Sequence, residues 1–114
     1  MEERVIDLKN YKKNDAKIFT NRDQGVRARK DFSVDDLDNQ CDYVVKVLLP
    51  LDTWGINPSF FGGLFEGSLK NMSKQEFRDK YIFQHPNNKP LNDSLERDIE
   101  DDIDYVLRIL YDED

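Results

Sequence analysis

Apolar residues are distributed along this chain in three kinds of run, and each predicts a different element. The densest is Tyr43-Val44-Val45-Lys46-Val47-Leu48-Leu49, apolar at six of seven positions and β-branched at three. A near-continuous run of this length predicts a central strand buried on both faces. Pro50 ends it, because proline has no N–H to give to a ladder. A second kind of run is helical in spacing. Leu95, Ile99, Ile103, Val106, Leu107 and Leu110 form one stripe, and Asp93-Ser94-Leu95-Glu96 reads as a capping-box start with Asp93 as cap. This predicts an amphipathic helix over about residues 93–111. The third kind is short. Arg4–Leu8, Ala16–Thr20 and Tyr81–Phe83 read as brief strands.

Local signals fill the intervals. A polar turn over Asn10–Asp15 predicts that the first two strands form a hairpin. Asn21 or Asp23 caps a helix running through Gly25 toward Phe32, exposed over most of its surface, and Ser33–Asp38 starts another helical turn. Leu51–Gly55 reads as a loop. Asn57-Pro58 is a helix start, with asparagine as cap and proline in the first turn. In the helix that follows, Phe61, Leu64, Phe65 and Leu69 share a face. Gly62-Gly63 inside it costs about 1 kcal/mol per residue relative to alanine, so close backbone packing is expected there. Ser73-Lys74-Gln75-Glu76 is a capping box for a short helix toward Lys80. The element order predicts an α/β fold: one domain over residues 1–114, with a four- or five-stranded mixed sheet and helices packed on it.

Charge adds a polarity to this picture. The 114 residues carry a formal net charge of −7. Residues 93–114 hold ten acids against two bases, which leaves the rest of the chain near neutral. That balance argues against nucleic acid as the main partner. Asp98, Asp101, Asp102 and Asp104 fall mainly away from the apolar stripe, as a solvated face or as an acidic docking face for a basic partner. Arg22, Arg27, Arg29 and Lys30 form a smaller basic cluster, read as a solvated face or an anion site. No apolar run reaches the roughly 18–20 residues needed to span a bilayer, and the N-terminus has no signal-peptide pattern, so a cytoplasmic location is expected.

Candidate chemistry is sparse. Cys41 is the only cysteine and His85 the only histidine, too few for a four-ligand zinc site and a weak nucleophile pair. No phosphate-cradling glycine motif is present. Asp52 follows the main strand, at the strand end where α/β sheets bind ligands, and is the single candidate general base. Trp54 lies in the same loop. Exposed, it is a binding hot spot; covered, it closes a core edge. The expected chemistry is non-catalytic, with no cofactor and no metal.

The stretch from Ala16 to Leu69 resembles the bacterial STAS-like family of unknown function. Three segments carry the resemblance. Thr20-Asn21-Arg22-Asp23-Gln24-Gly25 matches a strand ending in an Arg-x-x-Gly turn, with Arg27 and Arg29 behind it. Val44–Leu49 with Asp52 matches the apolar strand. Ile56-Asn57-Pro58-Ser59-Phe60 matches the lead into a helix bearing Gly63-Leu64-Phe65. Related STAS domains include anti-sigma factor antagonists, which bind a kinase-like anti-sigma factor and switch on a serine at this helix start. The resemblance implies a regulatory module that binds an ATPase- or kinase-like partner protein through Trp54, Asn57, Ser59 and Phe60. Pro58 stands at the switch position, which leaves Ser59 as the candidate phosphoacceptor. The competing reading is an acidic inhibitor or immunity-type protein that blocks a basic nuclease or toxin through Asp98, Asp101, Asp102 and Asp104.

Overall fold

Among the described residues, five strands and five α-helices follow one another along the chain: β1 (Glu2–Asp7), β2 (Ile18–Phe19), α1 (Arg22–Asp31), α2 (Val34–Asp38), β3 (Tyr43–Leu48), β4 (Gly55–Ile56), α3 (Pro58–Asn71), α4 (Lys74–Lys80), β5 (Tyr81–Gln84) and α5 (Asp93–Tyr111). The computed structural model describes residues 2–12, 16–40 and 42–111. The α/β class expected from the sequence is present. The strands divide into two sheets, β1-β3-β5 and β2-β4, and every named pairing is parallel. Among the described residues the only antiparallel feature is an isolated bridge between His85 and Lys89, so the mixed sheet expected from sequence is in fact almost wholly parallel. The expected hairpin does not form. β1 pairs with β3, whereas β2 pairs with β4, so the two strands that flank the Asn10–Asp15 turn belong to different sheets.

The larger sheet fixes the core. Across it, Arg4, Val45 and Tyr81 stand in one row, and Ile6, Val47 and Phe83 in the next. Ile6, Val45, Val47, Tyr81 and Phe83 are buried. Phe61, Phe65 and Phe77 from α3 and α4 meet Tyr81 and Phe83 there, with ring centroids 5.0 to 6.2 Å apart. Each tilted or edge-on pair adds to the stabilisation from burial itself.

Local chemistry starts and stops the helices. Asn21 caps α1, its side chain accepting from the Asp23 N–H at 2.7 Å, and Asn57 caps α3, accepting from the Phe60 N–H at 3.1 Å. At α4 both halves of the Ser73/Glu76 capping box are made. The cap of α5 is Asn92 rather than Asp93: its Oδ1 accepts from the Leu95 N–H at 2.8 Å. α3 is apolar nearly all round, as a helix packed on several sides must be. Phe60, Phe61, Leu64, Phe65 and Leu69 are all fully buried. α1 crosses α3 at backbone contact through Gly25 and Gly63. A Cβ at Gly25 would lie under 3.0 Å from the Phe60 carbonyl oxygen, and one at Gly63 equally close to that of Arg22. Among the described residues, no helix is long and apolar enough to cross a membrane.

Candidate functional site

Asn57, Ser59 and Phe60 lie where β2 and β4 end and α1 and α3 begin, whereas Trp54 immediately precedes β4 and its N–H donates to the Lys17 carbonyl at the start of β2. The two strands are parallel, so both helices leave from the same edge, and the Asn57 N–H donates to the Phe19 carbonyl at 2.9 Å. β4 replaces the last residue of the loop expected over Leu51–Gly55 and the residue after it. Gly55 and Ile56 carry too little pattern to announce a two-residue strand.

The four candidate residues separate. Trp54 is 70% exposed, with the Lys17 ammonium 5.8 Å from its ring centroid. Leu51 and Ile18, from the preceding turn and the strand paired with β4, are also exposed. Ser59, in the first turn of α3, presents its hydroxyl to solvent. Asn57 is half-buried and engaged in capping. Phe60 requires a correction. It is fully buried and packs on Phe19 at 4.9 Å, so it belongs to the core and offers nothing to a docking surface. Truncating it opens a cavity and reports on folding rather than on docking.

Asp52 is held between Lys12 at 3.2 Å and Lys17 at 3.7 Å. The Lys12 hydrogen bond, followed by the charges of both lysines, keeps its carboxyl below the usual carboxylate range. A general base working near neutrality needs a shift in the opposite direction. His85 is buried, with Nδ1 2.8 Å from the Leu49 carbonyl oxygen. Cys41 lies outside the described residues. Among the described residues, no three His, Cys, Asp or Glu side chains are gathered as a metal site.

The four acids of α5 do not form one face. Asp101 is exposed. Asp104 is paired with Lys74 at 2.8 Å, and Glu100 shares the same ammonium. Asp98 lies against β4, its Oδ2 2.9 Å from where a Gly55 Cβ would stand. Asp102 is 3% exposed and one of its oxygens has no hydrogen-bond partner. Burial, then the charges of Asp98 and Asp101, push its carboxyl up to about 8. Val106 reaches the Gly62 position one turn further on. α5 therefore runs alongside α3 in the same direction, with Asp102 facing inward at the level of the first turn of α3. The spacing Leu95, Ile99, Asp102, Val106 held the signal for this: Asp102 stands on the apolar stripe, where its charge hid it.

The basic cluster is likewise used within the chain. Arg22 meets Glu66 at 3.4 Å, and Arg27 lies over the Tyr11 ring at 4.7 Å. Arg29 enters a largely buried polar network. It donates to the Leu64 carbonyl at 2.8 Å, to Ser68 Oγ at 3.0 Å and to Asp38 at 2.9 Å. Ser68 Oγ also donates to Asp38, as does the Tyr81 hydroxyl. Burial and then the Asp38 carboxylate raise the Tyr81 phenol well above its ordinary range, so it stays protonated as a donor. With these partners satisfied, the network fastens α1, α2, α3 and β5 together. Sequence reading missed it, because Asp38 and Ser68 lie 30 residues apart and no local pattern links them. Beside it, a cleft of about 450 Å³ lined by Asp38, Gln40, Tyr43, Met72 and Lys80 opens at the amino end of the sheet. Parallel sheets ordinarily bind ligands at the other end.

Comparison of the chain with protein-family models, with curated proteins and with solved structures returns no match.

Proposed function

We propose that this chain is a non-catalytic regulatory interaction module of STAS-like type. It binds a partner protein through the surface around the exposed Trp54 ring, and Ser59, at the start of α3, is a separate exposed position. The observation that carries the reading is the exposure of Trp54. A tryptophan left 70% in solvent costs solubility and adds little to the core. Such a ring is the residue type most enriched among binding hot spots. Asn57 serves the site indirectly by fixing the first turn of α3.

Ser59 is the proposed regulatory position. Its hydroxyl is exposed in the first turn of a fourteen-residue helix, where a phosphate is favoured by the unpaired N–H groups and the helix dipole. A phosphate there alters the charge at the start of α3 and so the affinity for a partner that reaches it.

The test is affinity capture with the wild-type chain and with Trp54→Ala, followed by calorimetry on the purified partner. The expected result is at least a tenfold loss of affinity with a melting temperature within about 2 °C of wild type, because an exposed side chain contributes little to stability. Equal affinity for the two chains removes the surface from consideration. The inhibitor reading rests on less. Asp102 is buried and Asp104 already has a lysine, which leaves Asp101 and the partly covered Asp98 to meet a basic target.

A further inference from the structure

β1 is an outermost strand of the larger sheet, with β3 as its one neighbour among the described residues. The ladder fixes which backbone groups that neighbour uses. The Glu2 N–H donates to the Asp42 carbonyl at 3.3 Å and the Leu8 N–H to the Leu48 carbonyl at 3.1 Å, so the even-numbered residues point to β3. The N–H and C=O groups of Glu3, Val5 and Asp7 therefore point out of the sheet. Of these groups, only the Glu3 carbonyl meets a donor among the described residues, the exposed Arg4 guanidinium at 3.1 Å. The side chains show that the edge is open. Glu2, Glu3, Arg4 and Val5 are exposed in succession, although they alternate between the two faces of the sheet. Val5, the apolar one among them, is 51% exposed.

We infer that the free edge of β1 is a docking site for an extended segment of a partner protein, which joins the sheet as a further strand and carries a basic side chain on either side of an apolar one. The backbone argues for an extended occupant. Unpaired N–H and C=O groups at alternate residues are met in full by another strand. The side chains argue for its chemistry. Glu3, Val5 and Asp7 share one face, in register with Val44, Lys46 and Leu48 of β3. Lys46 approaches Glu3 to 3.9 Å, yet the Glu3 side chain stays 63% exposed. Asp7 accepts from the Lys9 N–H at 3.1 Å. An incoming strand with a base, an apolar residue and a base at alternate positions stands opposite Glu3, Val5 and Asp7. That order reads the same in either direction, so it suits a parallel or an antiparallel segment.

A second copy of this chain fits the edge worse. An antiparallel two-fold pairing sets residues of like parity opposite each other. Centred on Glu3 it opposes Glu3 to Glu3, and centred on Arg4 it opposes Arg4 to Arg4. Centred on Val5 it opposes Glu3 to Asp7 at both ends. Charges on an edge strand prevent such pairing of like edges, but they leave a strand of opposite charge free to bind. The Trp54 surface lies on other elements, so this docking stands independently of the function proposed above.

The experiment titrates the isotope-labelled full chain with extended peptides centred on Lys-Thr-Val-Thr-Lys or on Glu-Thr-Val-Thr-Glu. Two further versions of the Lys peptide carry N-methyl groups on alternate amides, one set each. The Lys peptide is expected to bind about tenfold more tightly than the Glu peptide, with amide shifts centred on Glu2–Asp7. One N-methylated set abolishes binding and the other does not, because only alternate amides of the incoming strand face β1. A chain with Glu3→Lys and Asp7→Lys reverses the preference between the peptides. Val5→Pro removes an outward N–H that the ladder to β3 does not use, so the chain folds, by circular dichroism, and fails to bind. No binding of the Lys peptide, N-methylated sets that behave alike, a preference unchanged by the charge reversal, or shifts centred on α5 or Trp54 each overturn the inference. Light scattering that shows a dimer dissociated by Val5→Pro does so as well, by assigning the edge to a second copy.

Discussion

Replacing Gly63 by alanine lowers the stability of this protein by about 3 kcal/mol or more, whereas the same change at Gly62, one residue earlier, leaves it unchanged or raises it by up to about 1 kcal/mol. Helix propensity alone gives the two substitutions the same favourable sign, since each removes a mid-helix glycine. Packing separates them. At Gly63 the new methyl group points at the Arg22 carbonyl oxygen and the Val26 amide nitrogen, which are backbone atoms of α1. It is accommodated only if α1 and α3 move apart, which loosens the core beneath them. At Gly62 the nearest atom is the Arg22 guanidinium at 3.1 Å, the end of a long and half-exposed side chain that swings aside. The surface pair it makes with Glu66 is worth little. Gly25→Ala behaves as Gly63→Ala does, because its methyl group meets the Phe60 carbonyl from the opposite side. Urea titration of the three single variants checks the ranking. Equal effects at Gly62 and Gly63 contradict the account of the helix crossing.

The second large effect is pH-dependent. Asp102 is expected to make the wild-type chain lose stability as pH rises. Its carboxyl is raised from 3.8 to about 8 in the folded state. Below about pH 4 it is protonated in both folded and unfolded chains and imposes no penalty. Between about pH 4 and 8 the unfolded chain releases the proton while the folded chain retains it, so stability declines with each step in pH. Above 8 the folded carboxyl ionises too and the decline levels off. Each tenfold difference in proton affinity between the folded and unfolded chains corresponds to about 1.4 kcal/mol, and with allowance for local relaxation the accumulated cost at pH 8 is about 3 kcal/mol. Asp102→Asn keeps the shape of the protonated acid and does not titrate. It is therefore more stable than wild type at pH 8 by about that amount, and no different at pH 4. Thermal melts of both chains across this range measure the divergence. Parallel curves overturn the assignment of the buried charge.

Much of the secondary structure was legible because its signals are local. The Ser73/Glu76 box, the Asn57-Pro58 start and the stripe of α5 each lie within a few residues of one another, and each is present in the fold. What sequence concealed depends on distant partners. The polar turn after β1 is compatible with a hairpin, and only pairing to a strand some forty residues on shows otherwise. β3 reads as buried on both faces, because a half-covered valine and a fully covered one look alike in sequence. In α3 the stripe through Phe61 and Leu64 was visible, but Phe60 on its flank is buried as well, since Phe19 and α1 close the other side. Of the candidate site, Trp54 and Ser59 are exposed. Phe60 and Asp102 are buried; for Asp102 helical spacing was the better guide, and for Phe60 the apolar residue type was.

The interleaved strand order also governs when the fold can assemble. No strand of either sheet pairs with the next one in sequence, so every ladder waits for about forty intervening residues to be brought together. Closing such loops is entropically costly before any pairing offsets it, which makes folding slower than in a helical bundle of this length. β1 is synthesised before β3 and cannot pair with it until β3 exists, and among the described residues it keeps only that one neighbour at the edge of the sheet. Its amides are therefore expected to exchange with deuterated solvent well before those of β3, so the N-terminal strand is the last part of the chain to be secured and the first to be released.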